Sequence, residues 1–119
     1  MIYGIGTDLI EVERVKKAYA KESFRKKVYT EQEQQLIADN AQRAAGNFAV
    51  KESVVKAFGT GFRKISAIDI EVLRDDFGKP YAVLHGPAKE QAESAGIQQV
   101  HVSISNTKEY AVGYVVMEV

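Results

Sequence analysis

The stretch AQRAAGNFAVKESVVKAFGTG, residues 41–61, reads as the long helix of the chain, running from about Ala41 to Phe58 and stopped by Gly59 and Gly61. On a wheel of 3.6 residues per turn Ala41, Ala45, Phe48, Val55 and Gly59 share one stripe, and Glu52 lies among them on what should be the core side. Burying a carboxylate unpaired costs several kcal/mol, so a proton, a cation or the flanking Lys51 and Lys56 must neutralise it. The plainer alternative is a helix salt bridge to Lys56, four residues on, contributing a few tenths of a kcal/mol.

On the N-terminal side, residues 2–7 read as a short strand, and from Leu9 the spacing of Leu9, Val12, Val15 and Tyr19 predicts a helix. Thr30 and Glu33 form a capping box for a short helix that includes Leu36 and Ile37. On the C-terminal side, Ile65–Leu73 and Tyr81–Leu84 are strand-like and flank turn residues 75–80, which predicts a hairpin. A helix over Gly86–Ala95, stopped by Gly96, and strands over 100–105 and 110–116 complete the chain. Helices followed by strands predict one α+β domain over residues 1–119, with a largely antiparallel sheet packed against one long and several short helices.

Sixteen Lys plus Arg balance sixteen Asp plus Glu, so no global field recommends nucleic acid or membrane as a partner. No cysteine is present, which excludes thiolate metal sites and a cysteine nucleophile. No apolar run approaches the roughly 20 residues of a membrane span, and a cytoplasmic protein is the expectation. At 119 residues the chain is too small for a deep two-domain cleft, so a large site is expected to need a second subunit.

Two features break their local pattern. In strict alternation Gly4, Gly6 and Asp8 share a strand face, and the two glycines clear space beside the acid, which implies close approach by a ligand or another chain. Asp8 as N-cap of the following helix is the alternative. Asp8 and Glu52 together are hard oxygen ligands that suit Mg²⁺ with substrate phosphate oxygens, and Lys56 with the backbone of Gly59, Thr60 and Gly61 would add phosphate contacts. The second feature is the stretch 14–27, with seven Lys or Arg against the single Glu22, which would steer an acidic macromolecule. The Gly4–Gly6 and Gly59–Gly61 pairs lack the rest of a dinucleotide or P-loop fingerprint, and His85 and His101 lie outside the acid pair.

Three segments taken together, IGTD (5–8), FAVKESVVKAFGTG (48–61) and VHVSIS (100–105), with the Gly78-Lys79-Pro80 turn, resemble the small bacterial 4′-phosphopantetheinyl transferases, the holo-[acyl-carrier-protein] synthases, over nearly the whole chain. The resemblance implies the 4′-phosphopantetheinyl transferase fold, a homotrimer with active sites between subunits, and a role in fatty acid and lipid biosynthesis. It also implies Mg²⁺-dependent transfer of phosphopantetheine from coenzyme A to a serine of apo acyl carrier protein, releasing adenosine 3′,5′-bisphosphate. Asp8 and Glu52 match the family's magnesium ligands and, with Lys56, its catalytic set. Lys56, Gly59, Gly61, Lys79, Pro80, Ser105 and Asn106 match its coenzyme A contacts, while Arg14, Lys21 and Arg25 fall where the acidic carrier would dock. The chain departs from the family pattern at Asn106, where a histidine is expected, and at Asn47, where an arginine often stands. The competing reading is a non-enzymatic trimer that binds an acidic protein through residues 14–27.

Overall fold

The computed structural model describes residues 1–61 and 64–119. In chain order the elements are β1 (Ile2–Glu11), α1 (Val12–Tyr19), α2 (Glu22–Val28), α3 (Glu31–Ile37), α4 (Ala41–Phe58), a 3₁₀ turn (Ala67–Asp69), β2 (Ile70–Arg74), β3 (Pro80–Leu84), α5 (Gly86–Ala95), β4 (Gln99–Asn106) and β5 (Tyr110–Glu118). A three-stranded sheet of order β1-β5-β4 and a two-stranded sheet β2-β3 are both antiparallel. The expected α+β architecture, the long helix, the hairpin and the Thr30–Glu33 capping box are all present.

Helix α4 lies across the larger sheet because glycines let the backbones touch. A Cβ on Gly6 would stand 1.9 Å from the Ser53 carbonyl oxygen, and one on Gly113 would stand 2.6 Å from the Ala49 carbonyl carbon. At Gly4 the obstacle would be the Ala57 carbonyl oxygen, at 2.2 Å. The space beside Asp8 is therefore filled by the chain's own helix, which corrects the expectation of a ligand or second chain there. The helix crosses the sheet diagonally, from Ile104 on β4 under Gly46, past Gly113 on β5, to Gly6 and Gly4 on β1.

Buried residues occur nearly all round α4, including Ala45, Val50, Val54, Val55 and Phe58, because the helix sits between the sheet and the surrounding helices and hairpin. The single-stripe reading fails for that reason. Past its first turn, the side chains left half open are Phe48 and Glu52, with Lys56 exposed one turn further, so this row is the uncovered edge of the helix. The charged residue of α4 inside the core is Lys51.

Strand β1 runs four residues beyond the expected end, since pairing with β5 continues through Leu9↔Val112 and Glu11↔Tyr110. Asp8 is thus a mid-strand residue opposite Gly113 and caps no helix. Leu9 points to the outer face at 64 % exposure. Strand β2 begins at Ile70 where Ile65 was expected, because residues 67–69 wind into the 3₁₀ turn closed by the Ser66–Asp69 capping box.

Candidate active site

Asp8 lies on the helix-facing side of β1, one strand pitch beyond Gly6, and the close approach of α4 brings Lys56 onto it. The Lys56 ammonium donates to Asp8 Oδ1 and to the Thr7 carbonyl, each at 2.9 Å. Glu52, one turn earlier, lines the same cavity of about 540 Å³ as Asp8, together with Arg14, Phe24, Phe48 and Tyr110. Burial raises the Glu52 carboxyl above its ordinary range, the Asp8 charge adds to that shift, and Lys56 opposes it. Three acids, Asp8, Glu11 and Glu52, against Arg14 and the bound Lys56 ammonium leave the cavity short of positive charge. Hard oxygens in that state suit a divalent cation. No cluster of three or more His, Cys, Asp or Glu able to hold a metal occurs among the described residues, so further oxygen ligands would come from water or substrate.

Glu52 also lines a second groove of about 710 Å³, together with Phe24, Val28 and Phe48, with Ile65, Ala67 and Ile68, and with Lys26 and Lys27. Beyond the C-terminus of α4, Gly59 takes a left-handed conformation with φ of 79° and caps the helix. Gly59, Thr60 and Gly61 border a cleft with Lys64 and with Glu90, Gln91 and Ser94 of α5. The share of α5 in this cleft had no counterpart in the sequence reading, since its polar positions are those of any exposed helix face.

The remaining residues singled out in the sequence are placed elsewhere. Lys79 and Pro80 sit in the β2–β3 turn, where the Lys79 amide donates to Asp75 Oδ1 and Pro80 pairs with Arg74. Ser105 and Asn106 end β4 near the first turn of α4, where Gln42 donates to the Thr107 carbonyl at 2.9 Å. Gln42 precedes Glu52 by ten residues, or about 15 Å along a helix axis. None of these four lines the Asp8–Glu52 cavity. Of the basic segment, Arg14 borders that cavity and Lys21 is exposed. Arg25 instead donates to the Tyr19 carbonyl at 2.7 Å and covers the Tyr19 ring, which fixes the turn between α1 and α2.

A buried polar network also escaped the sequence reading. Lys51 donates to Glu33 Oε1 at 2.8 Å, Asn47 to Glu33 Oε2 at 3.0 Å, and Arg74 to Asn47 Oδ1 at 2.9 Å. The Glu33 carboxyl is pushed up by burial and drawn back by Lys51, while the Lys51 ammonium is pushed down by burial and supported by Glu33.

The family model of the 4′-phosphopantetheinyl transferase superfamily matches residues 4–115. A holo-[acyl-carrier-protein] synthase of Lachnoclostridium phytofermentans is 55 % identical over 119 residues, covering 100 % of this chain and 98 % of the relative. The crystal structure of the Neisseria meningitidis holo-[acyl-carrier-protein] synthase superposes with a TM-score of 0.90 at 30 % identity, covering 100 % of both chains. That of the Bacillus anthracis synthase in complex with CoA (3′,5′-ADP) gives 0.81 at 37 % identity, covering 98 % of this chain and 96 % of its own.

Proposed function

Because this chain belongs to the 4′-phosphopantetheinyl transferase superfamily and is a phosphopantetheinyl transferase, we propose that it moves the 4′-phosphopantetheine group of coenzyme A onto a serine of apo acyl carrier protein in a Mg²⁺-dependent reaction that releases adenosine 3′,5′-bisphosphate. The observation that carries this reading is the convergence of Asp8 and Glu52 on one cavity, with Lys56 bonded to Asp8 at its edge. The donor set fits a hard divalent cation, which Asp8 and Glu52 would hold and which, when bound, supplies positive charge to a diphosphate.

The serine oxygen forms a bond to the phosphorus that carries the pantetheine arm, and the bond from that phosphorus to the oxygen of the bisphosphate breaks. Lys56 is 54 % exposed while bonded to Asp8, so its ammonium can turn toward the departing phosphate and offset the charge that develops there. Glu52 faces the same cavity and is the carboxylate placed to accept a proton there, and we assign it the serine proton. Gly59–Gly61 and the adjoining cleft receive the bisphosphate end. Arg14 and Lys21 meet the acidic carrier.

A homotrimer completes this reading. The outer face of the larger sheet is apolar and open, with Ile5 56 % and Leu9 64 % exposed beside Tyr110 and Tyr114. Packing copies against that face would bury it, and would let Lys79, Pro80, Ser105 and Asn106 of one subunit serve the cavity of another. Incubation with apo carrier, coenzyme A and Mg²⁺, followed by intact mass, tests the function. A gain of one phosphopantetheine that chelator abolishes is expected, and an unchanged carrier mass refutes the reading.

A further inference from the structure

Lys51 has no solvent contact, yet its ammonium finds every partner it needs: Glu33 Oε1 at 2.8 Å, the Ala67 carbonyl at 3.0 Å and the Ile70 carbonyl. It also stands 5.4 Å above the Tyr29 ring. The acceptors come from α3, from the 3₁₀ turn and from the first residue of β2, so a single atom on α4 ties three elements together. A buried ion pair is weak evidence for stability, since apolar side chains of like volume often do as well there. What this one fixes is geometry.

The tied turn carries Ala67 and Ile68, which line the same groove as Glu52 and Phe48. Residue order along α4 gives the groove its meaning. Gly59–Gly61 lie on the C-terminal side of Glu52 and Phe48 one turn on its N-terminal side. With the bisphosphate end toward the glycines and the diphosphate at Glu52 and Lys56, the arm that continues past the diphosphate must leave toward Phe48. Its branched dimethyl carbon suits apolar walls.

We propose that Lys51 is a positioning residue for the pantetheine arm of coenzyme A, acting through Ala67 and Ile68, the groove-lining residues of the segment 67–70 that it holds against α4. This rests on the reading of the site as the coenzyme A site.

Calorimetric titration of coenzyme A and of adenosine 3′,5′-bisphosphate, which lacks the arm, separates the two. In the full chain, Lys51→Met combined with Glu33→Gln removes the ammonium without leaving a buried carboxylate unpaired. Coenzyme A affinity should fall about tenfold or more while bisphosphate affinity stays within about twofold. Equal loss of both, or loss of neither, overturns the proposal. Should that variant not fold, Ile68→Ala decides: it trims the wall without touching the tie, and should weaken coenzyme A about threefold or more with the bisphosphate unaffected. An unchanged coenzyme A affinity in Ile68→Ala overturns the proposal too. A wild-type chain that binds both ligands yet modifies no carrier would refute the transferase reading alone, since the affinity ratio still decides the role of Lys51.

Discussion

Lys56 and Asp8 meet at 2.9 Å where the last full turn of α4 crosses the middle of β1, with the lysine more than half exposed and the acid 20 % exposed. The contact spans two parts of the chain that share no local sequence relationship, and it fixes the edge of the cavity in which Glu52 stands.

Removing either acid should leave the fold and end the reaction. Asp8→Asn and Glu52→Gln are each expected to lower Mg²⁺-dependent carrier modification by at least about 10²-fold, the scale seen when a main electrostatic element of a site is lost. Initial rates from intact-mass time courses, with melting curves confirming the fold, check this; near-normal rates would remove the metal-pair assignment.

Gly6→Ala should be far more damaging than an ordinary added methyl. The new Cβ would meet backbone at 1.9 Å, and no side chain can yield to it, so α4 must lift from the sheet. Overpacking already costs about 1–3 kcal/mol when side chains can move. The variant should be largely unfolded or melt well below wild type, whereas Gly96→Ala, with nothing within 4 Å, carries only its left-handed backbone strain.

Lys51→Met alone should destabilise more than Lys51→Met with Glu33→Gln. The single change strands a carboxyl that is fully buried, and breaking a buried pair costs about 3–5 kcal/mol, whereas removing both charges leaves no ion to solvate. Urea melts of the two variants give the ordering, and equal midpoints would contradict it.

Glu71 predicts a pH dependence. Burial works against its charge, but hydrogen bonds from Thr30 at 2.5 Å and His85 at 3.1 Å outweigh that and hold its carboxyl below the ordinary range. A group with a lowered folded value stabilises above its unfolded pKa and loses that contribution as pH falls through the folded one. Glu71→Gln should therefore lower the melting temperature at pH 7 by several degrees, for a loss of about 1–2 kcal/mol. The gap to wild type should close at acid pH below the ordinary carboxylate value; a gap that widens on acidification would reverse the sign.

Lys21→Glu should raise the KM for carrier several-fold at low salt and leave the KM for coenzyme A unchanged, because an exposed rim charge acts on encounter. The effect should shrink near 0.5 M salt, where screening is nearly complete beyond contact distance. An equal effect on both substrates would place Lys21 elsewhere in the mechanism.

Much of this was legible in the sequence where the signal is local. The capping box at Thr30 and Glu33, the glycine stop after Phe58 and the turn at residues 75–80 each depend on neighbours a few positions apart, and each forms as read. Asp8 and Glu52 do line one cavity, although Glu52 stands on the open edge of α4 and not on the core side that its spacing suggested. What stayed hidden depends on distant partners. Nothing near Lys51 announces that Glu33, 18 residues away, will neutralise it inside the core. The extent of β1 was missed because its last residues are held by β5, and the glycines were assigned to an outside visitor because the diagonal path of α4 cannot be read from one strand.

The pairing of β1 with β5 alone has a consequence for biosynthesis. Thr7 bonds the Gly113 carbonyl across 106 positions, so during translation the first strand emerges and must wait, with an apolar edge unmatched, until its mate leaves the ribosome. The cavity holding Asp8 thus forms only once Tyr110–Glu118 has left the ribosome. A stalled or nicked chain that lacks Tyr110–Glu118 would be catalytically silent even with Asp8, Glu52 and Lys56 intact.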